Sequence, residues 1–217
     1  MQVIFLGLPG AGKGTQAASI TDEFHIPHIA TGDIFRAAIK EKTMLGEEVK
    51  SYLDQGLLVP DELTIKIVRE RLLQPDAAHG FLLDGFPRTI AQAEALDKML
   101  EEERLPLTNV LYLEVSEEEL HHRLTGRRVC SKCGASYHVT LNPPKVQDVC
   151  DRCGSPLIQR EDDRPEAVRV RLRENLGRTG DLAKYYDDRG LLTRIKGENP
   201  IGDVYEDIRQ ALRRQAE

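Results

Sequence analysis

Positive charge is not in excess in this 217-residue chain: thirty Lys and Arg stand against thirty-six Asp and Glu, a formal net charge of -6. That balance argues against a wholesale electrostatic grip on nucleic acid or anionic membrane, while leaving room for local basic patches. Long apolar runs are missing near the start, where residues 3–6 form the longest; a signal-peptide core and a membrane span each need far more. A cytoplasmic location with no membrane partner is the expectation. Repeats and low-complexity tracts are absent too, which sets aside solenoids and linker-rich chains. Cysteine is scarce. Its four residues all lie between Cys130 and Cys153, and in a reducing compartment such crowding points to a metal site before disulfides. What remains is 40% hydrophobic and 30% charged, enough apolar material for a globular protein with a true core and one or two domains.

Short apolar runs alternate with longer amphipathic ones. Residues 2–6 read as a buried strand, followed by a Gly-rich turn and a helix over 15–24. The phrase recurs as a strand at 80–84 before a helix over 90–103, and a strand at 109–115 before a helix over 116–125, where Ser116 and Glu119 have capping-box spacing. Residues 191–195 give a further strand and 204–214 a closing amphipathic helix. Strand, turn and helix in this order predict an α/β fold with a parallel sheet covered on both faces. Two excursions break the rhythm: a helical one over 31–41 and 45–54 that runs to a helix capped by Asp61, and a β-rich one over 126–163 that carries the cysteines.

The run Gly7-Leu8-Pro9-Gly10-Ala11-Gly12-Lys13 follows the first strand and precedes a helix, the context that a phosphate-binding loop requires. Glycines let successive backbone N–H groups point at an anion, the helix N-terminus adds partial positive charge, and Lys13 places a full charge on the outer phosphates. The alternative is an ordinary tight turn. Ser or Thr usually follows the lysine directly, whereas here Gly14 intervenes and the hydroxyl comes at Thr15. Asp84, closing the apolar run Phe81-Leu82-Leu83, is the candidate acid near a magnesium ion that arrives with the triphosphate; a plain strand-end or turn Asp is the competing reading.

Cys130-x-x-Cys133 and Cys150-x-x-Cys153, sixteen residues apart, have the spacing of two knuckles that bring four thiolates onto one zinc ion. A segment of this size with Tyr137 as its only aromatic buries little apolar surface, so a metal would supply the missing stability. Four cysteines fill the coordination sphere, which makes the role structural. Free cysteines or two disulfides are the rivals, and iron fits the same thiolates. His138 reads as a surface residue, and His25, His28, His79, His121 and His122 have no partners at metal spacing.

Three stretches together, Gly7 to Thr15, Thr31-Gly32-Asp33-Ile34-Phe35-Arg36 and Leu83-Asp84-Gly85-Phe86-Pro87-Arg88, resemble the adenylate kinase family in its long-lid bacterial form. The resemblance covers essentially the whole chain, both excursions included, and Gly14 fits this family's version of the loop. It implies a phosphate-loop NTPase-like parallel five-stranded sheet with helices on both faces, with a core at 1–29, 60–125 and 164–217. It further implies a helical AMP-binding lobe at 30–59 and a zinc-containing lid at 126–163. The implied activity is transfer of a phosphoryl group from MgATP to AMP, giving two ADP, in a monomer with no nucleic-acid partner. Gly10, Ala11, Gly12, Lys13, Gly14 and Thr15 would then hold the ATP phosphates, with Arg127 stacked on the adenine and Ser136, Tyr137 and Asn199 also facing ATP. Thr31, Arg36, the backbone at Leu57 and Val59, Gly85, Arg88 and Gln92 would form the AMP site, with Gln92 reading the base. Arg123, Arg160 and Arg171 would converge with Lys13, Arg88 and Asp84 on the moving phosphoryl, Arg160 and Arg171 also touching AMP, while Asp162 and Asp163 hold the closed arrangement. Arginine suits this work because its planar fork grips phosphate oxygens at two points without losing charge.

Two other readings stay open. One is a kinase for a different nucleoside monophosphate. The second is a nucleotide-switched nucleic-acid-binding protein, since seven basic and two acidic residues fall between Arg123 and Arg160. Against it, base-stacking aromatics are lacking there.

Overall fold

The computed structural model describes residues 1–214. In chain order the first half comprises β1 (Gln2–Leu6), α1 (Lys13–Phe24), β2 (His28–Ala30), α2 (Thr31–Lys40), α3 (Met44–Asp54), α4 (Asp61–Leu72), β3 (Phe81–Asp84), α5 (Ile90–Glu102) and β4 (Asn109–Glu114). Then follow α6 (Glu117–Thr125), β5 (Arg127–Cys130), β6 (Ser136–His138), β7 (Leu157–Ile158), α7 (Pro165–Asp187), β8 (Leu192–Lys196) and α8 (Ile201–Arg213). Five strands make one parallel sheet in the order β2-β3-β1-β4-β8. Four of them lie where the sequence places them. β2 is not legible in the sequence, because three residues opening on His28 after Pro27 are too short to show alternation.

The sheet is buried on both faces, and its side chains alternate between two cores. Val3, Phe5, Leu82, Leu111 and Leu113 face α1, α6, the first part of α7 and α8; Ile4, Leu6, Phe81, Leu83 and Val110 face α4, α5 and the last part of α7. Each such fully buried Leu, Ile or Phe contributes roughly 1.5–3 kcal/mol. The 23-residue α7 joins the layers, giving Val168 and Leu172 to one core and Leu182, Ala183 and Tyr186 to the other.

Each excursion has its own small core. Phe35, Val49 and Val59 centre the helical one, and β5, β6 and β7 form an antiparallel sheet in the cysteine segment. They meet across the cleft mouth, where Lys40 Nζ donates to the Ser131 carbonyl at 3.5 Å. Two capping expectations fail. Ser116 takes the N-cap position of α6 without a side-chain cap, and the reciprocal half of the box is lost as well: its N–H donates to Glu198 at 2.7 Å, while Glu119 pairs with Arg123, one turn on. Asp61 begins α4 rather than capping it, and its carboxylate turns away to Thr89 and Gln92.

Helices α2 and α3 pack so closely that a Cβ on Gly46 would lie 2.2 Å from the Ala38 carbonyl oxygen. Gly46→Ala would gain up to about 1 kcal/mol of helix propensity, but the clash is with backbone and cannot be relieved by a rotamer. The expected net loss is about 1–3 kcal/mol, read as a lower urea midpoint; an unchanged midpoint would show that the two helices separate freely.

Candidate active site

Residues 7–12 connect β1 to α1 over the carboxyl end of the sheet, the edge at which open α/β sheets collect ligands. Gly12 is the N-cap of α1 with φ 96°, and no side chain caps the first turn, so the helix N-terminus is left to an anion. Lys13 Nζ donates to the carbonyls of Gly7 at 2.7 Å and Leu8 at 3.1 Å. Desolvation lowers this ammonium to about 8, with Arg88, Arg171 and Arg127 adding to the effect and Asp84 opposing it. Because the folded-state value lies below the ordinary 10.5, the charged lysine destabilises the free fold at neutral pH. That cost fades as pH rises from about 8 toward 10.5.

The loop forms one wall of a cleft of about 1200 Å³. Lys13, Arg36, Arg88, Arg127, Arg160 and Arg171 all line it, supplied by the start of α1, α2, the turn after β3, β5, the end of the cysteine segment and α7. Burial and mutual repulsion push Arg88 and Arg160 down to about 10, still protonated at neutral pH. Arg127 goes the other way. Burial would lower it, but Asp163 outweighs that.

Asp163 is fully buried, and its two oxygens accept from Arg127 Nε at 2.7 Å and Nη2 at 2.5 Å, and from Arg171 Nη1 at 3.3 Å. Asp162 takes Arg171 Nη1 at 3.0 Å. These carboxylates fix the arginine forks, and stripping Asp163 of its partners would cost about 3–5 kcal/mol. Asp84 faces the loop beside Gly14, with His28 Nε2 at 3.4 Å but outside hydrogen-bond geometry. Burial works to raise Asp84, yet His28, Lys13 and Arg88 together hold it below the ordinary carboxylate range.

The opposite wall is built around Gly85. Its carbonyl accepts from Thr31 Oγ1 at 3.0 Å and Arg88 Nε at 2.8 Å. Its φ is 78°, and a Cβ at this position would lie 2.9 Å from Arg88 Nη2, so only glycine is admissible here. Arg36 is held by Asp33 at 2.5 Å. Gln92 is buried behind Arg88, whose backbone N–H it accepts at 2.8 Å. Leu57 and Val59 do not line this cleft: Val59 is buried in the core of the helical lobe, and Leu57 faces a separate small pocket with Asp54, Glu161 and Ala167.

Arg123 lines the same cleft but shares no partner with Arg127 and Arg171. It donates to Glu119 at 2.6 Å and to the Gly197 carbonyl at 2.9 Å, beside Gly12 and the exposed loop that carries Asn199. The pairing with Glu119 is readable as i,i+4 spacing; the contact with Gly197 is not. Ser136 is exposed on the cleft edge of β6, whereas the Tyr137 hydroxyl turns inward, 3.5 Å from Cys150 Sγ, and accepts from the Asp151 N–H at 2.8 Å.

His138 is not a surface residue. Its Nδ1 accepts from the backbone N–H groups of Thr140 at 3.1 Å and Leu141 at 3.0 Å, and its Nε2 meets the His122 carbonyl at 3.2 Å, which fixes the neutral tautomer. Burial holds it below the usual histidine range.

The sulfurs of Cys130, Cys133, Cys150 and Cys153 lie within 4.8 Å of one another, with Cys130 to Cys153 at 3.4 Å and Cys133 to Cys150 at 3.6 Å. Tetrahedral zinc with bonds of about 2.3 Å sets sulfurs about 3.8 Å apart. The N–H groups of Lys132 and Cys133 point at Cys130 Sγ, both at 3.4 Å. This donor set fits a structural zinc ion.

A phosphate loop on a parallel sheet, facing a second wall across a ring of arginines, defines a phosphotransferase of the nucleotide-kinase class. The chain belongs to the adenylate kinase family: that family's model matches residues 5–191. It is 55% identical over 212 residues to the adenylate kinase of Exiguobacterium sibiricum, covering 98% of this chain and 99% of that one. Against the Bacillus licheniformis adenylate kinase it is 54% identical over 212 residues, with 98% of each chain covered. The Staphylococcus aureus adenylate kinase is 55% identical over 208 residues, 96% of this chain and 97% of the relative. Among the described residues no helix is long and apolar enough to cross a membrane.

Two expectations follow. Chelation of the metal is expected to lower the melting temperature by loosening residues 126–163 first, followed by hydrogen exchange; freshly purified protein without stoichiometric metal would refute the site. ATP binding near pH 8 is expected to take up protons, since the triphosphate raises the lowered Lys13 value, and Lys13→Arg is expected to abolish that uptake in calorimetry across buffers of different ionisation heat.

Proposed function

We propose that this chain transfers the terminal phosphoryl group of MgATP to AMP in line, giving two ADP. An AMP phosphate oxygen attacks the γ-phosphorus, the bond to the β–γ bridging oxygen breaks, and the departing group is ADP. The observation that carries this reading is one cleft with the phosphate loop on one wall and Gly85, Arg88 and Arg36 on the other, ringed by fixed cations. Such a transfer needs charge stabilisation and exclusion of water far more than covalent help.

In this reading Gly10 to Thr15 hold the ATP phosphates and Lys13 follows the charge into the transition state. The geometry favours exchanging two of the roles that the resemblance implies. Arg127, fixed with Arg171 on Asp163, acts on the moving phosphoryl group, and Arg123, on Glu119 and the Gly197 carbonyl, lies toward the adenine with Ser136 and Asn199. Arg160 and Arg171 complete the ring. Tyr137 supports the zinc knuckle by its hydroxyl and offers ATP at most its ring. Thr31, Arg36, the backbone at Leu57 and Val59, Gly85, Arg88 and Gln92 take AMP. Magnesium arriving with ATP supplies charge neutralisation between the phosphates, and Asp84 is the chain's own carboxylate to orient it.

The division into a core at 1–29, 60–125 and 164–217, an AMP lobe at 30–59 and a lid at 126–163 belongs to the same proposal, as do a monomeric state, a cytoplasmic location and the absence of nucleic acid among the partners. Closure of the two lobes excludes water and brings Arg36 and Arg160 to the phosphates. Arg127 is turned inward onto Asp163 and Arg128 onto the carbonyls of Thr125 and Arg127, whereas Lys132, Lys145 and Arg152 are exposed, and no base-stacking aromatics accompany them.

The test is initial ADP formation from MgATP across AMP, CMP, UMP and GMP. AMP is expected to exceed the others in kcat/KM on the order of 100-fold or more, because a mismatched base leaves buried polar groups unpaired. Comparable turnover of any other acceptor would refute the assignment of AMP.

A further inference from the structure

Gln92 is 2% exposed, and its carboxamide is held from two sides by partners that each work in one direction only. Its Nε2 donates to Asp61 Oδ1 at 2.7 Å, and its Oε1 accepts from the Arg88 backbone N–H at 2.8 Å. A carboxylate only accepts and a backbone N–H only donates, so the amide cannot flip without losing both bonds. Asp61 is in turn fixed by Thr89, whose Oγ1 accepts from the Gln92 N–H at 3.2 Å as the N-cap of α5 and therefore directs its own proton to Asp61 Oδ2 at 2.8 Å. The chain of donors and acceptors is closed and has one sense.

We propose that Asp61 is the positioning residue that fixes which way the Gln92 carboxamide faces and thereby makes the acceptor site select a 6-amino over a 6-oxo purine. The inference rests on the reading that Gln92 meets the acceptor base. With one Nε2 hydrogen on Asp61 and one Oε1 lone pair on Arg88, what Gln92 has left is one donor and one acceptor in fixed order. Adenine presents a ring acceptor beside an amino donor and matches it. Hypoxanthine and guanine present the reverse, a ring N–H beside a carbonyl, and meet donor with donor and acceptor with acceptor. A free carboxamide could rotate to suit either base. Asp61 lies at the start of α4 and Thr89 just before α5, so selectivity depends on how two elements of the core are docked, not on the helical lobe alone.

The experiment compares kcat and KM for AMP and IMP, at saturating MgATP, in Asp61→Ala, Asp61→Asn, Gln92→Leu and the Asp61→Ala/Gln92→Leu double variant. Asp61→Ala is expected to lower the AMP:IMP ratio of kcat/KM about tenfold, mostly through a raised KM for AMP with kcat within about twofold. Asp61→Asn keeps an oxygen for Gln92 Nε2 while turning its amide to Thr89, and is expected to retain most of the ratio. In the Gln92→Leu background the Asp61 change is expected to have no further effect on the ratio. An unchanged ratio in Asp61→Ala, or an equal loss with and without Gln92, overturns the proposal. Gln92→Leu with wild-type selectivity would instead refute Gln92 as the base reader, so the two failures are distinguishable. If the alanine variant does not fold, Asp61→Glu displaces the carboxylate by one methylene; it is expected to lower the ratio, and no change there counts against the proposal equally.

Discussion

Lys13, Arg36, Arg88, Arg127, Arg160 and Arg171 face one cleft, and left to themselves they would repel one another apart. What keeps Arg127 and Arg171 in place is the pair of adjacent acids, Asp162 and Asp163, the latter without solvent exposure. Asp33 beside Arg36 and Asp84 near Lys13 add two more carboxylates, and four still cannot neutralise six cations. Burial and repulsion lower Lys13 to about 8 and Arg88 and Arg160 to about 10, which is the electrostatic signature of a site with charge left over for an anionic ligand. The excess is stored at the expense of folding stability and released when phosphates enter. That single imbalance links the stability of the free protein to its chemistry.

Holding the imbalance requires rigid supports from several directions. The sheet, buried on both faces, carries the phosphate loop and Asp84 on neighbouring strands β1 and β3, and α7 ties both layers together while presenting Arg171. Arg127 and Arg160 come from a segment whose own core is little more than Cys130, Tyr137, Cys150 and Leu157. So small a core cannot fix two arginines by packing alone. The four-thiolate cluster supplies the missing constraint, and Tyr137 couples it to the fold by placing its hydroxyl against Cys150. His138 does similar work at the base of the segment, where it replaces backbone partners for Thr140 and Leu141 and packs over Gly126.

Much of this is legible in the residues alone. The loop through Lys13, the alternation in residues 2–6, 80–84 and 109–115, the two excursions and the paired cysteine knuckles are all local patterns, and local patterns follow from backbone geometry and ligand spacing. The α/β class, the five-stranded parallel sheet and the four-cysteine cluster stand as expected. Capping departs from the local pattern twice, and each time distant partners are involved: Glu198 takes the Ser116 N–H while Glu119 pairs with Arg123, and Asp61 turns to Thr89 and Gln92. His138 reads as a surface residue because nothing in its neighbourhood reveals that Gly126 leaves space for its ring.

The sequence by itself therefore determined which chemistry was possible: a phosphate-binding turn, arginines in supply, a four-thiolate metal site, and enough apolar periodicity to bury a sheet. Only the tertiary structure decided which partner holds each arginine, because Arg123 and Arg127 are four residues apart and chemically identical until Gly197 claims one and Asp163 the other. It also decided that Asp61 and Gln92, 31 positions apart, form one hydrogen-bonded unit. Long-range polar pairing depends on orientation to a fraction of an ångström, and orientation is set by how the packed elements dock, which no short window of residues encodes.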